Sequence, residues 1–178
     1  MELKLIFLRR RLRNKLLKIK LIVTDVDGVL TNGLIGYGNK ISGLKLFNAK
    51  DGMAVKLLQL NHINLAFISG GDTDATSARA KSLCIKECHT NIEDKGLKIV
   101  EIQKRLGFSP ESTLYIGDDV NDLEVLPHVS LFIAPNDCNY KVKTKADIKL
   151  RSKGGEGVLR EICDVLINLK NRNKADTL

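Results

Sequence analysis

The sequence predicts an α/β protein built on a doubly wound, Rossmann-like parallel sheet. Continuous apolar runs at residues 21–24, 65–68 and 113–116 are typical of strands that are buried on both faces. Stretches with helical periodicity alternate with these runs, and the connections are short. The 178 residues suffice for one domain with a substantial core.

The chain divides into a basic N-terminal segment (residues 1–18), a single domain (residues 19–170) and a tail (residues 171–178). The first segment is predicted to be an amphipathic helix. Its apolar stripe comprises Leu5, Leu8, Leu12 and Leu16. Further strands are expected at residues 85–89, 129–133 and near 148. Further helices are expected at residues 51–60, 73–83, 93–106, 120–126, near 140 and 154–169.

The segment between the first strand and the next helix is predicted to be a small β-hairpin. Residues 33–48 are rich in glycine, prone to turn, and flanked by apolar pairs. The hairpin is too small to be a domain, so we expect no large cap domain. Asp51 is expected to cap the helix that follows. The buried stripe of that helix is expected to comprise Met53, Val55, Leu57, Leu58 and Leu60.

The net charge of +8 comes from the two ends of the chain, since residues 1–20 alone carry eight basic side chains and one acidic one. A basic arm could bind nucleic acid or an anionic membrane surface. We favour a solvated helix that covers one edge of the domain, because the body is nearly neutral and aromatic residues are sparse. No specific nucleic-acid partner is expected.

The composition also indicates a cytoplasmic protein in which thiols are reduced. No apolar run reaches the length of a transmembrane segment, and the N-terminal residues lack the apolar core of a signal peptide. The four cysteines do not have zinc-type spacing. Cys84, Cys88 and His89 lack a fourth ligand, so we interpret them as buried thiols and a solvated imidazole.

Polar residues follow three of the predicted strands, where ligands bind in open α/β sheets. Asp25 and Asp27 follow the first strand and Ser69 the second. The third strand is followed by Asp118, Asp119 and Asp122, and Lys95 lies between the last two sets. Several carboxylates at one edge require a hard cation such as Mg²⁺. A carboxylate nucleophile, a cation, a hydroxyl and a lysine together indicate phosphoryl transfer. Alone, Asp-x-Asp could be a solvated turn and Lys95 a surface lysine.

Taken in order, Asp25-Val26-Asp27-Gly28-Val29, Ser69-Gly70, Lys95 and the segment 117–122 resemble the four motifs of the haloacid dehalogenase superfamily of phosphatases. The resemblance implies that Asp25 forms an aspartyl-phosphate and that Asp27 is the acid and base. It implies that Asp25, the carbonyl of Asp27 and Asp118 bind Mg²⁺. Ser69, Gly70 and Lys95 would bind the phosphoryl group, and Asp119 and Asp122 would support the metal or Lys95.

The hairpin, residues 47–52 and residues 154–161 resemble one capless subgroup, the 3-deoxy-D-manno-octulosonate (KDO) 8-phosphate phosphatases and the related nonulosonate 9-phosphate phosphatases. The resemblance implies a homotetramer that acts on a small phosphorylated sugar acid, with the octulosonate substrate preferred and lipopolysaccharide sugar synthesis as its context. Asn48 and Lys50 would contact the substrate, and Glu156 would line a neighbouring subunit's site.

Two residues depart from the octulosonate pattern. Gly71 stands where those enzymes commonly have Arg, and Glu156 resembles the nonulosonate type. A nonulosonate 9-phosphate substrate is therefore an alternative. A receiver domain is disfavoured because Asp-x-Asp comes first and the acidic pair last. A non-catalytic protein that binds phosphate or nucleic acid is the alternative of another class.

Overall fold

The computed structural model describes residues 10–38, 41–71 and 74–175. The strands are β1 (Leu21–Thr24), β2 (Gly36–Gly38), β3 (Ile41–Leu44), β4 (Asn64–Ile68), β5 (Glu87–His89), β6 (Thr113–Ile116), β7 (Leu131–Ala134) and β8 (Ile148–Lys149). The α-helices are α1 (Arg10–Lys18), α2 (Ala49–Leu60), α3 (Asp74–Ser82), α4 (Lys95–Leu106), α5 (Tyr140–Lys145) and α6 (Val158–Ala175). Two 3₁₀ segments, Pro110–Ser112 and Val120–His128, flank β6.

Six of these strands form a parallel sheet in the order β5-β4-β1-β6-β7-β8, with β1 near its centre. Strands β2 and β3 form a separate antiparallel hairpin. The predicted α/β architecture is therefore confirmed, including the hairpin inserted after β1. Among the described residues, no helix combines the length and the apolar character needed to cross a bilayer.

Apolar side chains cover both faces of the sheet. Ile22 of β1 lies in one core cluster with side chains of α1, α2 and α6. Leu21 and Val23 lie in the other, with side chains of α4 and α5. All four residues of β1 are buried, which explains why the strand has an unbroken apolar run instead of alternating polarity. Helices on both faces leave the carboxyl edge of the sheet free for a site.

The terminal helices agree with the sequence only in part. Leu12 and Leu16 of α1 are buried, as predicted, whereas Leu5 and Leu8 lie outside the described residues. Helix α6 continues to Ala175, beyond the expected end at residue 169. The hairpin strands fall within the predicted range 33–48, and residues 39 and 40 lie outside the described residues.

The prediction that Asp51 caps α2 is wrong. Asn48 is the N-cap, because its side-chain oxygen accepts a hydrogen bond from the backbone N–H of Lys50. Asp51 lies in the first turn of α2, is buried, and its Oδ1 accepts from the backbone N–H of Arg160 at 2.9 Å. It therefore joins the start of α2 to the start of α6.

The predicted buried stripe of α2 is also partly wrong. Val55 and Leu58 are buried together with Ala54, whereas Met53 and Leu60 are 48% and 76% exposed. Positions 54, 55 and 58 share one helical stripe that packs on the body, and the other two lie outside it.

The segment after β6 is a 3₁₀ helix and not the predicted α-helix. The side chains of Asp119 and Asp122 form a capping box that closes its first turn. Pro127 lacks the N–H that an α-helical ladder would need near its end.

Strand β5 begins at Glu87, later than expected.

Asp51 generates a pH-dependent prediction. Burial raises its pKa to about 6, despite hydrogen bonds from the backbone of Arg160 and Leu159 and the nearby charge of Arg79. Because the folded pKa is above the unfolded one, the carboxyl group opposes folding increasingly as pH rises from about 4 to 6. Asp51→Asn keeps an acceptor without the charge. We expect it to exceed the wild type in unfolding free energy by about 2 kcal/mol at pH 7.

Urea unfolding at pH 4.5 and pH 7 measures this difference. At pH 4.5 the difference should fall to less than about half of its value at pH 7, because the carboxyl group is then mostly protonated in the folded protein. Asp164→Asn is the control, since Asp164 lies at the surface in an exposed pair with Arg160, and it should change little at either pH. A variant that is less stable than the wild type at pH 7 would show that the Asp51 charge is stabilising.

Candidate active site

The predicted site residues gather at the carboxyl edge of the sheet, beyond the three adjacent strands β4, β1 and β6. Asp25 and Asp27 follow β1, Ser69 follows β4 and Asp118 follows β6. Lys95 approaches the same point as the first residue of α4. Parallel pairing aligns the ends of the strands, so residues distant in the sequence become neighbours.

Lys95 connects two of the carboxylates. Its Nζ lies 2.6 Å from Oδ1 of Asp25 and 2.6 Å from Oδ1 of Asp122, and the side chain is 2% exposed. Burial lowers the pKa of Lys95, but the charges of Asp25 and Asp122 outweigh this effect and raise the pKa overall. The alternative that Lys95 is a surface lysine is excluded by its burial.

Asp122 uses both carboxylate oxygens within the protein. Oδ2 accepts from the backbone N–H groups of Asp118 at 2.8 Å and Asp119 at 3.1 Å. Oδ1 accepts from Lys95 and from the hydroxyl of Tyr115, which is 2.6 Å away. Burial and the Asp122 charge raise the pKa of Tyr115 well above its ordinary value, so the phenol stays a donor. These bonds orient the loop that carries Asp118.

Oxygen atoms of Asp25, Asp118 and Asp122 lie within 4.8 Å of one another. Asp122 is already saturated with donors, whereas Oδ1 of Asp118 is buried and has no hydrogen-bond partner. Burial and the Asp122 charge raise the pKa of Asp25 to about 7. Burial and the Asp25 charge raise the pKa of Asp118 to about 8. Asp25 and Asp118 therefore have the free oxygens and the uncompensated charge that a divalent cation needs.

Gly28 is required for this approach of Asp118. Its φ of +92° is unfavourable for residues with a side chain. A Cβ at Gly28 would also overlap the carboxylate of Asp118. The glycine of the Asp-x-Asp-Gly motif thus makes room for a carboxylate from another strand.

The carboxylate of Asp27 contacts a different set of side chains from that of Asp25. Its Oδ2 lies 2.6 Å from Nζ of Lys45 and 3.3 Å from Oγ of Ser69, and its Oδ1 accepts from Oγ1 of Thr31 at 3.3 Å. The Ser69 hydroxyl also accepts from the backbone N–H of Gly71. The two carboxylates of the motif therefore each contact a different lysine.

Sequence reasoning missed Lys45. It lies between Leu44 and Leu46, and alternation predicts leucines inside and lysine outside. The structure has the reverse, since the leucines are 52% and 74% exposed and Lys45 is buried. The apolar flanks concealed the residue, and only its position in the hairpin next to the Asp-x-Asp motif could have suggested it.

The predicted substrate-binding residues lie at the start of α2 and in the loop before α6. Asn48 donates from Nδ2 to the carbonyl oxygen of Gly155 at 2.9 Å, which ties the loop 154–157 to α2. Lys50 and Glu156 are exposed and line a surface concavity of about 540 Å³ together with Arg151 and Arg160. None of the clustered carboxylates lines that concavity.

The remaining predicted residues are exposed near the cluster. Asp119 accepts from the backbone N–H of Val120 and does not join the three clustered carboxylates. A Cβ at Gly70 would lie 3.7 Å from the carbonyl oxygen of Ile92, which is an ordinary contact distance. A Cβ at Gly71 would lie 3.7 Å from Oγ of Ser69, so the mouth of the site has room at this position.

Comparison with known proteins agrees with this geometry. The family model for haloacid dehalogenase-like hydrolases matches residues 72–162. A 3-deoxy-D-manno-octulosonate 8-phosphate phosphatase of Yersinia pestis is 35% identical over 89% of this chain and 85% of its own length. The corresponding phosphatase of Escherichia coli K12 is 34% identical over 84% of this chain and 79% of its own length.

Solved structures of such enzymes superimpose closely. The Y. pestis phosphatase has a TM-score of 0.88 at 33% identity, covering 93% of this chain and 89% of that one. The cobalt-bound Haemophilus influenzae enzyme has a TM-score of 0.85 at 34% identity, covering 88% and 92%. The Moraxella catarrhalis enzyme, in complex with magnesium, phosphate and KDO, has a TM-score of 0.86 at 30% identity, covering 93% and 95%. The chain belongs to the haloacid dehalogenase-like hydrolases, in the group that contains the 3-deoxy-D-manno-octulosonate 8-phosphate phosphatases.

Proposed function

We propose that the protein is a Mg²⁺-dependent phosphomonoesterase that hydrolyses KDO 8-phosphate to KDO and phosphate. The observation that carries the proposal is the cluster at the strand ends, in which Lys95 contacts Asp25 while Asp118 keeps a free buried oxygen. The substrate is inferred from relatives that are named as KDO 8-phosphate phosphatases and that this chain matches over most of their length. In this proposal the enzyme works in the cytoplasm and supplies KDO for lipopolysaccharide.

In the first step, Asp25 attacks phosphorus and the bond between phosphorus and the sugar oxygen breaks. Asp27 gives its proton to the departing alkoxide. The hydroxyl of Ser69, the backbone at Gly70 and the ammonium of Lys95 bind the phosphoryl oxygens. The product of this step is the free sugar and an aspartyl-phosphate on Asp25.

In the second step, the Asp27 carboxylate takes a proton from water, whose oxygen attacks phosphorus. The bond between phosphorus and Asp25 breaks, which restores the carboxylate and releases phosphate. Asp25, Asp118 and the backbone carbonyl of Asp27 would hold Mg²⁺. When bound, the ion neutralises charge on the phosphoryl oxygens and lowers their repulsion of Asp25.

A homotetramer is the second part of the proposal. The hairpin exposes a cluster of apolar side chains, namely Leu34, Ile35, Tyr37, Leu44 and Leu46. Such a cluster is typical of a surface that binds another protein. Pairing of hairpins between copies would bury it. A neighbouring copy could then use Glu156 to close the site, which lacks a cap domain.

Phosphate release from a panel of sugar phosphates tests the activity. The panel comprises KDO 8-phosphate, nonulosonate 9-phosphates and simple hexose phosphates, each with Mg²⁺ and with chelator. We expect Mg²⁺-dependent turnover of KDO 8-phosphate and a fall of more than about 10³-fold in Asp25→Asn, which removes the nucleophile. Preferred turnover of a nonulosonate 9-phosphate would change the substrate, and turnover that survives Asp25→Asn would contradict the mechanism.

Asp122→Asn tests how the metal site is supported. The amide presents donors where the carboxylate accepts four hydrogen bonds, so the loop carrying Asp118 should lose its orientation. We expect the affinity for Mg²⁺ to fall roughly 10- to 100-fold in a calorimetric titration. Tyr115→Phe removes one of the four donors and should have a smaller effect. Unchanged Mg²⁺ affinity in Asp122→Asn would argue against this support.

The oligomeric state can be tested by light scattering after gel filtration. We expect the wild type to elute as a tetramer and Tyr37→Glu to dissociate, because Tyr37 is 79% exposed on the hairpin. Tyr140→Glu is the matched control, since Tyr140 is 78% exposed on α5, away from the hairpin, and its tetramer should persist. A monomeric wild type would contradict the proposal.

A further inference from the structure

Lys45 is a buried lysine outside the four motifs. It follows β3, the second strand of the hairpin, and its side chain is fully buried. Its Nζ donates to Oδ2 of Asp27 at 2.6 Å and to Oγ1 of Thr76, in α3, at 3.2 Å. Lys45 thus links three parts of the chain: the hairpin, the loop after β1 and α3.

Burial of this ammonium has a cost that a partner must offset. A desolvated charge is strongly unfavourable unless it is paired and hydrogen-bonded. Among the described residues, Asp27 is the acidic group that forms a salt bridge with Lys45. The chain also turns Leu44 and Leu46 outward at the end of the hairpin, which directs Lys45 inward. This arrangement holds the two side chains in one geometry.

The carboxylate of Asp27 has freedom that Lys45 restricts. It is 25% exposed, and its other contacts, with Ser69 and Thr31, are neutral and longer at 3.3 Å. A charge-assisted hydrogen bond is shorter and stronger than a neutral one. Lys45 therefore contributes the strongest single contact that orients this side chain. Proton transfer to a leaving group depends on such orientation, since the donor must lie within hydrogen-bond reach.

We propose that Lys45 is a positioning residue that holds the Asp27 carboxyl group through Oδ2, so that the other oxygen, Oδ1, carries the proton that passes to the leaving oxygen. This inference rests on the proposed phosphatase activity, in which Asp27 is the acid. It also gives the hairpin a role in catalysis, because the hairpin supplies the residue that orients the acid. Lys45 itself transfers no proton and forms no bond to the substrate.

The dependence of rate on the leaving group tests the proposal. An alkyl phosphate needs a proton on its leaving oxygen, whereas p-nitrophenyl phosphate releases a stable phenolate without one. General acid catalysis contributes about 10²- to 10⁴-fold. In Lys45→Met we expect kcat/KM to fall about 100-fold for the best alkyl phosphate of the panel and less than about 5-fold for p-nitrophenyl phosphate.

The matched control is Lys56→Met, at an exposed lysine of α2, which should leave both values unchanged. Thr76→Val removes the second partner of Lys45 and should give a smaller loss with the same bias toward the alkyl phosphate. The double variant of Lys45→Met with Asp27→Asn should be no slower on the alkyl phosphate than Asp27→Asn alone, because both changes remove one function.

Equal losses on both substrates would overturn the proposal, since they indicate a role in binding phosphate or in folding. Additive losses in the double variant would overturn it as well. If Lys45→Met does not fold, Thr76→Val decides by the same ratio. A wild type that hydrolyses neither substrate refutes the proposed function itself, whereas an active wild type with an unbiased Lys45→Met refutes only the role of Lys45.

Discussion

The ion pairs of Lys95 with Asp25 and Asp122 are the interaction on which the site depends. Three carboxylates meet at the ends of β1 and β6 because the parallel sheet aligns those ends. Burial raises the pKa of Asp25 to about 7 and that of Asp118 to about 8, so the charged forms of these two groups need a nearby cation. Lys95 compensates part of this charge and leaves the rest for a metal ion. The same ion pairs hold the first residue of α4, Lys95, at the site.

The two aspartates of the first motif are separated by their surroundings. Asp25 is buried beside Lys95, whereas Asp27 is partly exposed beside Lys45 and Ser69. One environment suits a nucleophile next to a metal ion, and the other suits a group that exchanges protons with substrate and water. The first lysine comes from the sheet's own helices, and the second comes from the inserted hairpin. The hairpin is therefore connected to the site as well as to the proposed subunit contact.

The sequence predicted the sheet, the hairpin and the clustering of residues at the strand ends, because these follow from unbroken apolar runs and from strand alignment. It failed where tertiary packing overrides local pattern. Lys45 is buried between two exposed leucines, and Asp51 caps α6 rather than its own helix. Met53 is exposed although it is apolar. Such contacts join segments that are distant in the chain, and no local periodicity encodes them.

Trapping of the phosphoenzyme tests the central claim most directly. With p-nitrophenyl phosphate, whose leaving group needs no proton, the Asp27→Asn variant should form the intermediate and hydrolyse it slowly, because the base is missing. After rapid acid quench with a phosphate-labelled substrate and Mg²⁺, peptide mapping by mass spectrometry should locate the phosphoryl group on Asp25. Absence of a covalent intermediate, or a phosphoryl group on another residue, would contradict the assignment of Asp25 as the nucleophile.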